Sequence, residues 1–253
     1  MHANFLAEVA SHGFLVLALG PYVAESKTEG GGMMGMGSGT KSAQMIEAID
    51  WATAENNRAE SKFYGKLDPS KFAVAGMSCG GLQALEVASD PRVKTLMVMN
   101  SGLFGPGGRP KMALPKEGMP KMGAPKEGMP KMGAPKQGAG APLMGMPEIG
   151  KEVLAKLHSP TIYIIGGETD IAYPQAIDDY AKIDKVPVAI ANLEKVGHGG
   201  TYSEPNGGEF GVVAGAWLKW QLKGNEEDAK MFTGADCGLC SREGWTYEKK
   251  KLP

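Results

Sequence analysis

The sequence has few cysteines, no excess of charge of either sign and no long apolar run, and each shortage excludes a class of protein. Three cysteines in 253 residues are too few for a disulfide-dense scaffold. With 27 Lys and Arg against 28 Asp and Glu, no bulk charge steers the chain towards nucleic acid or an acidic membrane surface. No apolar run approaches the roughly 20 residues of a membrane-spanning helix. We therefore expect a soluble globular protein with neither a nucleic-acid partner nor a membrane span.

Glycine and proline, by contrast, are abundant, and one segment holds much of the excess. Residues 105–147 contain 10 Gly and 9 Pro in 43 positions, and a Pro-Lys pair recurs every five residues over 110–136. Proline at that spacing is incompatible with a helix or a central strand. We therefore predict a disordered insert within a single domain formed by 1–104 and 148–253. The insert carries a net charge of +5, which fits either a solvated loop or a basic flap over an acidic site entrance, and its partner is unknown.

Outside the insert, short apolar runs alternate with stretches of helical periodicity. Uniformly apolar strands separated by helices are typical of a parallel sheet covered on both faces, so the sequence predicts an α/β fold. The first predicted helix has Phe5, Leu6 and Val9 on one face and ends at Gly13. The predicted buried strands are 14–19, 72–77, 93–100, 161–165 and 186–191, and the other predicted helices are 40–54, 80–88, 148–157 and 208–222.

Ser78 is the strongest candidate for chemistry. It is the centre of Gly76-Met77-Ser78-Cys79-Gly80, at a predicted turn from strand to helix. The pattern G-x-S-x-G in that context describes a nucleophile elbow, whose small flanking residues allow a strained turn that exposes the serine hydroxyl. Cys79 begins the predicted helix, so we expect its backbone N–H, rather than its thiol, to act as an oxyanion donor. The alternative is a glycine-rich turn without a nucleophile.

A serine nucleophile requires a base and a carboxylate that orients the base. Asp170 follows the predicted strand 161–165 and His198 follows the predicted strand 186–191. Both therefore lie at carboxyl ends of strands, where open parallel sheets build their sites. The order Ser, Asp, His is that of the fold to which this elbow belongs. We predict that Ser78, Asp170 and His198 form a catalytic triad.

Other acidic and imidazole side chains are weaker candidates. Glu168 lies in the same loop as Asp170 and stays a rival acid, whereas Asp178 and Asp179 are predicted on a helix with their carboxylates facing solvent. His12 and His158 each precede a predicted strand, which places them at the opposite end of the sheet. Neither histidine is therefore expected to contact Ser78.

Four stretches together resemble the serine α/β-hydrolases, especially the secreted esterase and polyester-hydrolase-like branch related to dienelactone hydrolases. They are ASHGFLVLALGP (10–21), FAVAGMSCGG (72–81), IYIIGGETDIAYP (162–174) and VGHGGTY (196–202). The resemblance implies hydrolysis of a small or polymeric carboxylic ester through an acyl-serine intermediate, with no organic cofactor or metal. It also implies that Ser78 is the nucleophile, His198 the base and acid, and Asp170 the orienting carboxylate.

The chain departs from this family before its first predicted helix. Family members carry further strands there, and a loop after one of them supplies the second oxyanion donor. Those residues are absent, so we expect an N-terminally shortened α/β-hydrolase fold whose first strands are missing. A catalytically silent binding protein, and a peptidase or lactone hydrolase of the same fold, stay as alternatives to the esterase.

Two pairs of residues complete the predictions. Tyr22 and Tyr202 are the aromatic side chains that we expect near the site entrance, as walls of the substrate pocket. Cys237 and Cys240 form either a short-loop disulfide, which the resemblance supports, or two free thiols. The sequence shows no signal peptide. A disulfide and the resemblance nevertheless favour an extracellular location if the N-terminus is truncated.

Overall fold

One five-stranded sheet, in the order β1-β2-β3-β4-β5, forms the centre of the computed structural model, which describes residues 2–20, 40–105 and 149–253. The first four strands are parallel and the last is antiparallel to its neighbour. This arrangement confirms the predicted α/β class. The strands are β1 (Phe72–Met77), β2 (Val93–Met99), β3 (Thr161–Ile165), β4 (Val188–Leu193) and β5 (Trp245–Lys250).

Helices cover both faces of this sheet, as the uniformly apolar strands predict. The first and fifth helices pack on one face, and the second, third and fourth pack on the other. The α-helices are α1 (Ala3–Ser11), α2 (Ala43–Asn57), α3 (Cys79–Val87), α4 (Tyr173–Lys182), α5 (Gly208–Lys223), α6 (Glu226–Ala229) and α7 (Gly238–Ser241), and two 3₁₀ helices cover Lys151–Lys156 and Pro205–Gly207.

The central strand β3 shows how the core is divided between the two faces. Successive side chains of a strand point to opposite faces. Ile162 and Ile164 are fully buried against the α1 and α5 side, whereas Tyr163 and Ile165 are fully buried against the α2, α3 and α4 side. Each buried aliphatic or aromatic side chain contributes roughly 1.5–3 kcal/mol of transfer free energy. The apolar run of β3 therefore holds both helix layers on one sheet.

The prediction of a buried strand at 14–19 is wrong. These residues have no regular secondary structure, and Leu15, Leu17 and Leu19 are 39%, 38% and 36% exposed. Phe14 and Val16 pack against the core on the α5 side, which accounts for the apolar character of half the run. An apolar run becomes a strand only where its backbone groups find a ladder partner. No described residue supplies one here.

Other predicted boundaries differ by smaller amounts. The strand predicted at 161–165 is confirmed without change, and that predicted at 186–191 lies two residues later, as β4. In place of the helix predicted at 148–157, the structure has the 3₁₀ helix Lys151–Lys156. The predicted insert lies outside the described residues, apart from Gly105. No helix in the described ranges is both long and apolar enough to cross a membrane.

Candidate active site

The carboxyl ends of the four parallel strands place one polar residue each at the same edge of the sheet. Ser78 directly follows β1 and Asn100 directly follows β2. Asp170 lies in the loop after β3, and His198 lies in the loop after β4. Because parallel strands end at one edge, side chains from four distant parts of the sequence meet there.

Ser78 occupies a strained turn between β1 and α3. Its backbone has φ 54° and ψ −118°, in the positive-φ region that residues other than glycine seldom adopt. The Ser78 N–H donates to the carbonyl of Met99 at the end of β2, 3.0 Å away. The hydroxyl of Ser101 donates to the Ser78 carbonyl at 2.7 Å. Strain of this kind persists where the surroundings hold it, which is common at functional sites.

Two glycines allow α3 to approach β1 closely enough for this turn. A Cβ added at Gly76 would lie 2.1 Å from the carbonyl carbon and oxygen of Gly80, and one at Gly81 would lie 2.4 Å from the Cβ of Ser101. A Cβ added at Gly80 would meet no atom of the described residues within 4 Å. The backbone approach therefore requires glycine at 76 and 81, whereas the last glycine of G-x-S-x-G is sterically dispensable here.

Ser78, His198 and Asp170 are joined by hydrogen bonds. The Nε2 atom of His198 lies 3.0 Å from the Oγ of Ser78, and its Nδ1 atom lies 2.6 Å from Oδ1 of Asp170. The Asp170 side chain is fully buried, and that of His198 is 28% exposed. A hydroxyl, an imidazole and a carboxylate thus stand in the geometry that serine hydrolysis requires.

The carboxylate of Asp170 is held by donors from three sides. Burial by itself raises the pKa of Asp170, but hydrogen bonds from His198, from the Ala172 N–H and from the Asn100 amide outweigh it and hold that pKa below its usual range. The Ala172 N–H lies 2.9 Å from Oδ1, and Asn100 Nδ2 lies 2.6 Å from Oδ2. Asp170 is therefore a carboxylate that stays ionised inside the protein.

Cys79 begins α3, as the sequence predicts for the residue after an elbow serine. Its backbone N–H donates no hydrogen bond within the part of the chain that the structure describes, as is usual in the first turn of a helix. Its thiol is free and half-buried. The open N–H beside Ser78 is of the type that stabilises a tetrahedral oxyanion.

The rival acids lie elsewhere. Glu168 is exposed, and Asp178 forms ion pairs with Lys151 and Lys182. The prediction that Asp179 faces solvent is wrong, because its carboxylate is fully buried and 2.5 Å from the Lys151 ammonium. A helix residue that reads as polar in the sequence is buried here because a cation from another element reaches it.

The other histidines have partners away from Ser78. His12 ends α1 and pairs with Glu8, one helical turn earlier, at 3.0 Å. The Nε2 atom of His158 lies 3.0 Å from the backbone carbonyl of Asp90. Both positions agree with the expectation that neither imidazole contacts Ser78.

Of the two predicted pocket tyrosines, Tyr202 is buried and does not line an entrance. Tyr22 lies outside the described residues. Tyr202 is 1% exposed, its ring packs edge-on against Phe5 and Phe210, and its hydroxyl donates to Oδ1 of Asn100 at 2.5 Å. We expected Tyr202 near the surface because it lies four positions after His198. The loop instead turns inwards, and the Tyr202 hydroxyl bonds to Asn100, which contacts Asp170.

Sequence reasoning missed Asn100 and Ser101. Both are buried, and both contact the predicted triad. The available signal was their position, since two polar residues directly follow an apolar strand at the carboxyl edge of a parallel sheet. The predicted strand 93–100 included Asn100, so Asn100 was not recognised as a polar residue beyond the end of the strand.

Two other predictions concern cysteines and metals. Cys237 and Cys240 form a disulfide around the start of α7. Within residues 2–20, 40–105 and 149–253, no three His, Cys, Asp or Glu side chains gather in a way that would hold a metal ion.

The mostly parallel sheet, the strained serine after β1 and the acid and base in the loops after β3 and β4 define an α/β-hydrolase fold. Residues 4–101 match the model of the PET hydrolase-like family. The matched part contains Ser78, Cys79 and Asn100, whereas Asp170 and His198 lie beyond it. No curated protein matches the chain.

Proposed function

We propose that this protein is a serine hydrolase that cleaves carboxylic esters. The observation that carries the proposal is the continuous hydrogen-bonded line from Ser78 Oγ through His198 to Asp170, with distances of 3.0 and 2.6 Å. A neutral serine hydroxyl is a poor nucleophile, and a base in contact with it is what makes it reactive. The match of residues 4–101 to a PET hydrolase-like family supports the same class of reaction.

The proposed reaction has two stages. His198 Nε2 accepts the proton of Ser78 as Oγ attacks the ester carbonyl, and the same proton then goes to the departing alcohol. The N–H of Cys79 donates to the oxyanion of the tetrahedral intermediate. Water attacks the resulting acyl-serine with His198 again as base, which releases the acid and restores Ser78. Asp170 holds the imidazole in the tautomer with its proton on Nδ1 and stabilises the imidazolium.

The substrate class is proposed to include polyesters as well as small esters. The name of the matched family refers to hydrolysis of a polyester, and His198 is reached from solvent, so a chain need not enter the protein to meet the site. Peptides and lactones contain the same type of acyl carbon and serve as competing substrates in the test.

The test compares hydrolysis of p-nitrophenyl butyrate, an amorphous polyester film, a lactone and a peptidyl anilide by the whole chain and by Ser78→Ala. We expect ester turnover that falls by roughly 10³-fold or more in Ser78→Ala. Ser70→Ala, which removes an exposed hydroxyl bonded to Asp68, is the matched control and should retain full turnover.

A fluorophosphonate probe distinguishes a wrong nucleophile from a silent site. We expect labelling that disappears in Ser78→Ala and persists in Cys79→Ala, because the proposal uses the N–H of Cys79 and not its thiol. Labelling that persists in Ser78→Ala would contradict the role of Ser78. Ser78-dependent labelling without turnover of any of the four substrates would instead favour the catalytically silent binding protein.

A further inference from the structure

Asn100 is the side chain that fixes the far oxygen of the Asp170 carboxylate. The Oδ1 atom of Asp170 accepts hydrogen bonds from the His198 imidazole and from the Ala172 backbone N–H. Its Oδ2 atom accepts hydrogen bonds from the Asn100 amide at 2.6 Å and from the Gly166 N–H at the longer distance of 3.3 Å. Two acceptors with donors on opposite sides cannot rotate about the carboxyl axis without losing a bond. Asn100 thereby determines which oxygen faces His198.

The backbone of Asn100 is itself held in an unusual conformation. It has φ 43°, in the left-handed region that asparagine tolerates better than most residues other than glycine. Asn100 is fully buried, and its N–H donates to the Ile164 carbonyl of β3 at 2.9 Å. Buried left-handed residues that are not glycine concentrate where function requires a particular side-chain direction.

The amide of Asn100 has one orientation that uses all of its hydrogen-bonding groups. Its Nδ2 donates to Asp170 and also to the carbonyl of Gly197, the residue before His198, at 3.3 Å. Its Oδ1 accepts from the hydroxyl of Tyr202. With the amide reversed, its oxygen would face a carboxylate and a carbonyl, neither of which has a proton to donate. The Tyr202 hydroxyl therefore selects the orientation that serves Asp170.

Tyr202 is suited to be a permanent donor. Burial, together with the nearby charge of Asp170, raises the pKa of Tyr202 well above its ordinary value, so the hydroxyl keeps its proton. Phe5 and Phe210 pack against its ring edge-on. Since Tyr202 and His198 belong to one loop, the bonds from Tyr202 through Asn100 to Asp170 and His198 form a closed ring of contacts.

We propose that Asn100 and Tyr202 are positioning residues of the triad. Asn100 holds Asp170 so that Oδ1 meets His198 Nδ1, and Tyr202 holds the Asn100 amide in the orientation that does so. The inference rests on the proposed hydrolase function for its kinetic part, but the placement of the His198–Asp170 hydrogen bond is observable without turnover. Among the described titratable side chains, His198 bonds to Asp170, Asp170 acts on Tyr202, and the His2 ring packs edge-on against Tyr202 at 4.8 Å.

The test uses three variants of the whole chain. Asn100→Asp keeps the shape of the side chain, and aspartate also tolerates the left-handed backbone, but the substitution replaces the amide donor with a second carboxylate. Asn100→Gly keeps the backbone and removes the amide, and Tyr202→Phe removes only the hydroxyl. The matched control is Tyr163→Phe, another fully buried tyrosine whose hydroxyl bonds to a different aspartate, Asp179.

With p-nitrophenyl butyrate, we expect kcat to fall roughly 100-fold or more in Asn100→Asp, with KM nearly unchanged, because the loss affects the proton transfer and not binding. The acid limb of the pH profile should move to higher pH, by about one unit or more, since two adjacent carboxylates share a proton. Tyr202→Phe should lower kcat roughly three- to tenfold. Tyr163→Phe should leave kcat and the acid limb unchanged.

The second measurement is the low-field proton resonance of the imidazole N–H that bonds to Asp170. We expect this resonance to shift or broaden in Asn100→Gly, Asn100→Asp and Tyr202→Phe and to stay in place in Tyr163→Phe. If the wild type hydrolyses no ester, the proposed function fails while this spectrum still tests the positioning role. An unchanged resonance in folded Asn100→Gly and Tyr202→Phe, or equal kinetic losses in Tyr202→Phe and Tyr163→Phe, would overturn the inference.

Discussion

Asp170 and Asp179 lie nine residues apart, both with fully buried carboxylates, yet their surroundings act on them in opposite directions. The donors to Asp170 are an imidazole, a side-chain amide and two peptide N–H groups. Those to Asp179 are the Lys151 ammonium, the Leu103 N–H and the Tyr163 hydroxyl. The pKa of Asp170 lies below its ordinary range, whereas burial raises the pKa of Asp179 and its partners offset that only in part.

The difference shows that a nearby ammonium does not by itself offset the burial of a carboxylate. Asp179 has an ammonium at 2.5 Å and a raised pKa, and Asp170 has no permanent cation among the described residues and a lowered one. Both carboxylates accept hydrogen bonds from several donors, but those donors outweigh burial at Asp170 and fail to do so at Asp179. The balance between burial and donors therefore decides the direction of each pKa shift.

The two clusters also differ in what they connect. Asp170 reaches solvent through His198, which contacts Ser78. Asp179 joins Leu103, before the segment 106–148, to Lys151, after it. We infer that the first cluster serves chemistry and the second holds together the two ends that flank that segment.

The largest expected effect comes from neutralising each aspartate in turn. Asp170→Asn should lower kcat for p-nitrophenyl butyrate roughly 10⁴-fold, because it favours the wrong imidazole tautomer, and should also lower the free energy of unfolding at neutral pH, where the ionised carboxylate contributes stability. Asp179→Asn should leave kcat within a few-fold but lower the free energy of unfolding by about 2–4 kcal/mol, since it leaves the Lys151 ammonium, 13% exposed, without one partner. Steady-state kinetics and urea unfolding measure the two effects.

Removing the cation tests the second cluster from the other side. Lys151→Met should lower the free energy of unfolding by about 3 kcal/mol at neutral pH, because the buried carboxylate of Asp179 loses its ammonium. The loss should shrink as pH falls through the raised pKa of Asp179, where its carboxylate takes up a proton. Lys182→Met, which removes a half-exposed partner of Asp178, is the control and should cost less than about 1 kcal/mol. A loss that stays equal across the acid range would contradict the raised pKa of Asp179.

The difference between the clusters was only partly accessible from the sequence. Asp170 and His198 were predicted because each follows an apolar strand, and the parallel sheet then places them beside Ser78. Asp179 was predicted to face solvent because nothing in a local pattern shows that Lys151 packs across it. Long-range pairs of this kind depend on how α4 sits against the segment after β2, which periodicity does not encode.

The same limit applies to the fold. The strand β3 was predicted to the residue, because a run that is apolar on both faces is typical of a central strand. The edge strand β5, with the sequence WTYEKK, was missed, since one half-exposed face leaves few apolar residues to identify it. Residues 14–19 were predicted as a strand on hydrophobicity alone, without a test for backbone partners.

Protonation of Asp170 should lower the free energy of unfolding, whereas protonation of Asp179 should raise it. Because the folded-state pKa of Asp170 is lowered, its ionised form contributes stability above the ordinary aspartate value of about 4, and the contribution is lost as pH falls through the folded-state pKa. Asp170→Asn should therefore lose less stability in acid than the wild type. The folded-state pKa of Asp179 is raised, so protonation in mild acid favours the folded state, and Asp179→Asn should lose more.

Urea unfolding at several values between about pH 3 and pH 7 measures these slopes, and a single proton changes a slope by at most about 1.4 kcal/mol per pH unit. Wild-type slopes that neither substitution alters would contradict the assignment of opposite pKa shifts.

Tyr163→Phe is the mildest change and tests whether the clusters are separate. The Tyr163 hydroxyl lies 3.3 Å from Oδ2 of Asp179, a long hydrogen bond, so its removal should cost about 0.5–1 kcal/mol of unfolding free energy. Asp179 then has one donor fewer and its pKa rises further, so the cost should be greater at neutral pH than in acid, where Asp179 is protonated. Tyr163 shares β3 with the strand end that leads to Asp170, but its side chain faces the opposite helix layer from Ile162 and Ile164. A change in kcat in this variant would mean that the carboxylate of Asp179 acts on the triad through β3, and the division into a chemical and a structural aspartate would then be wrong.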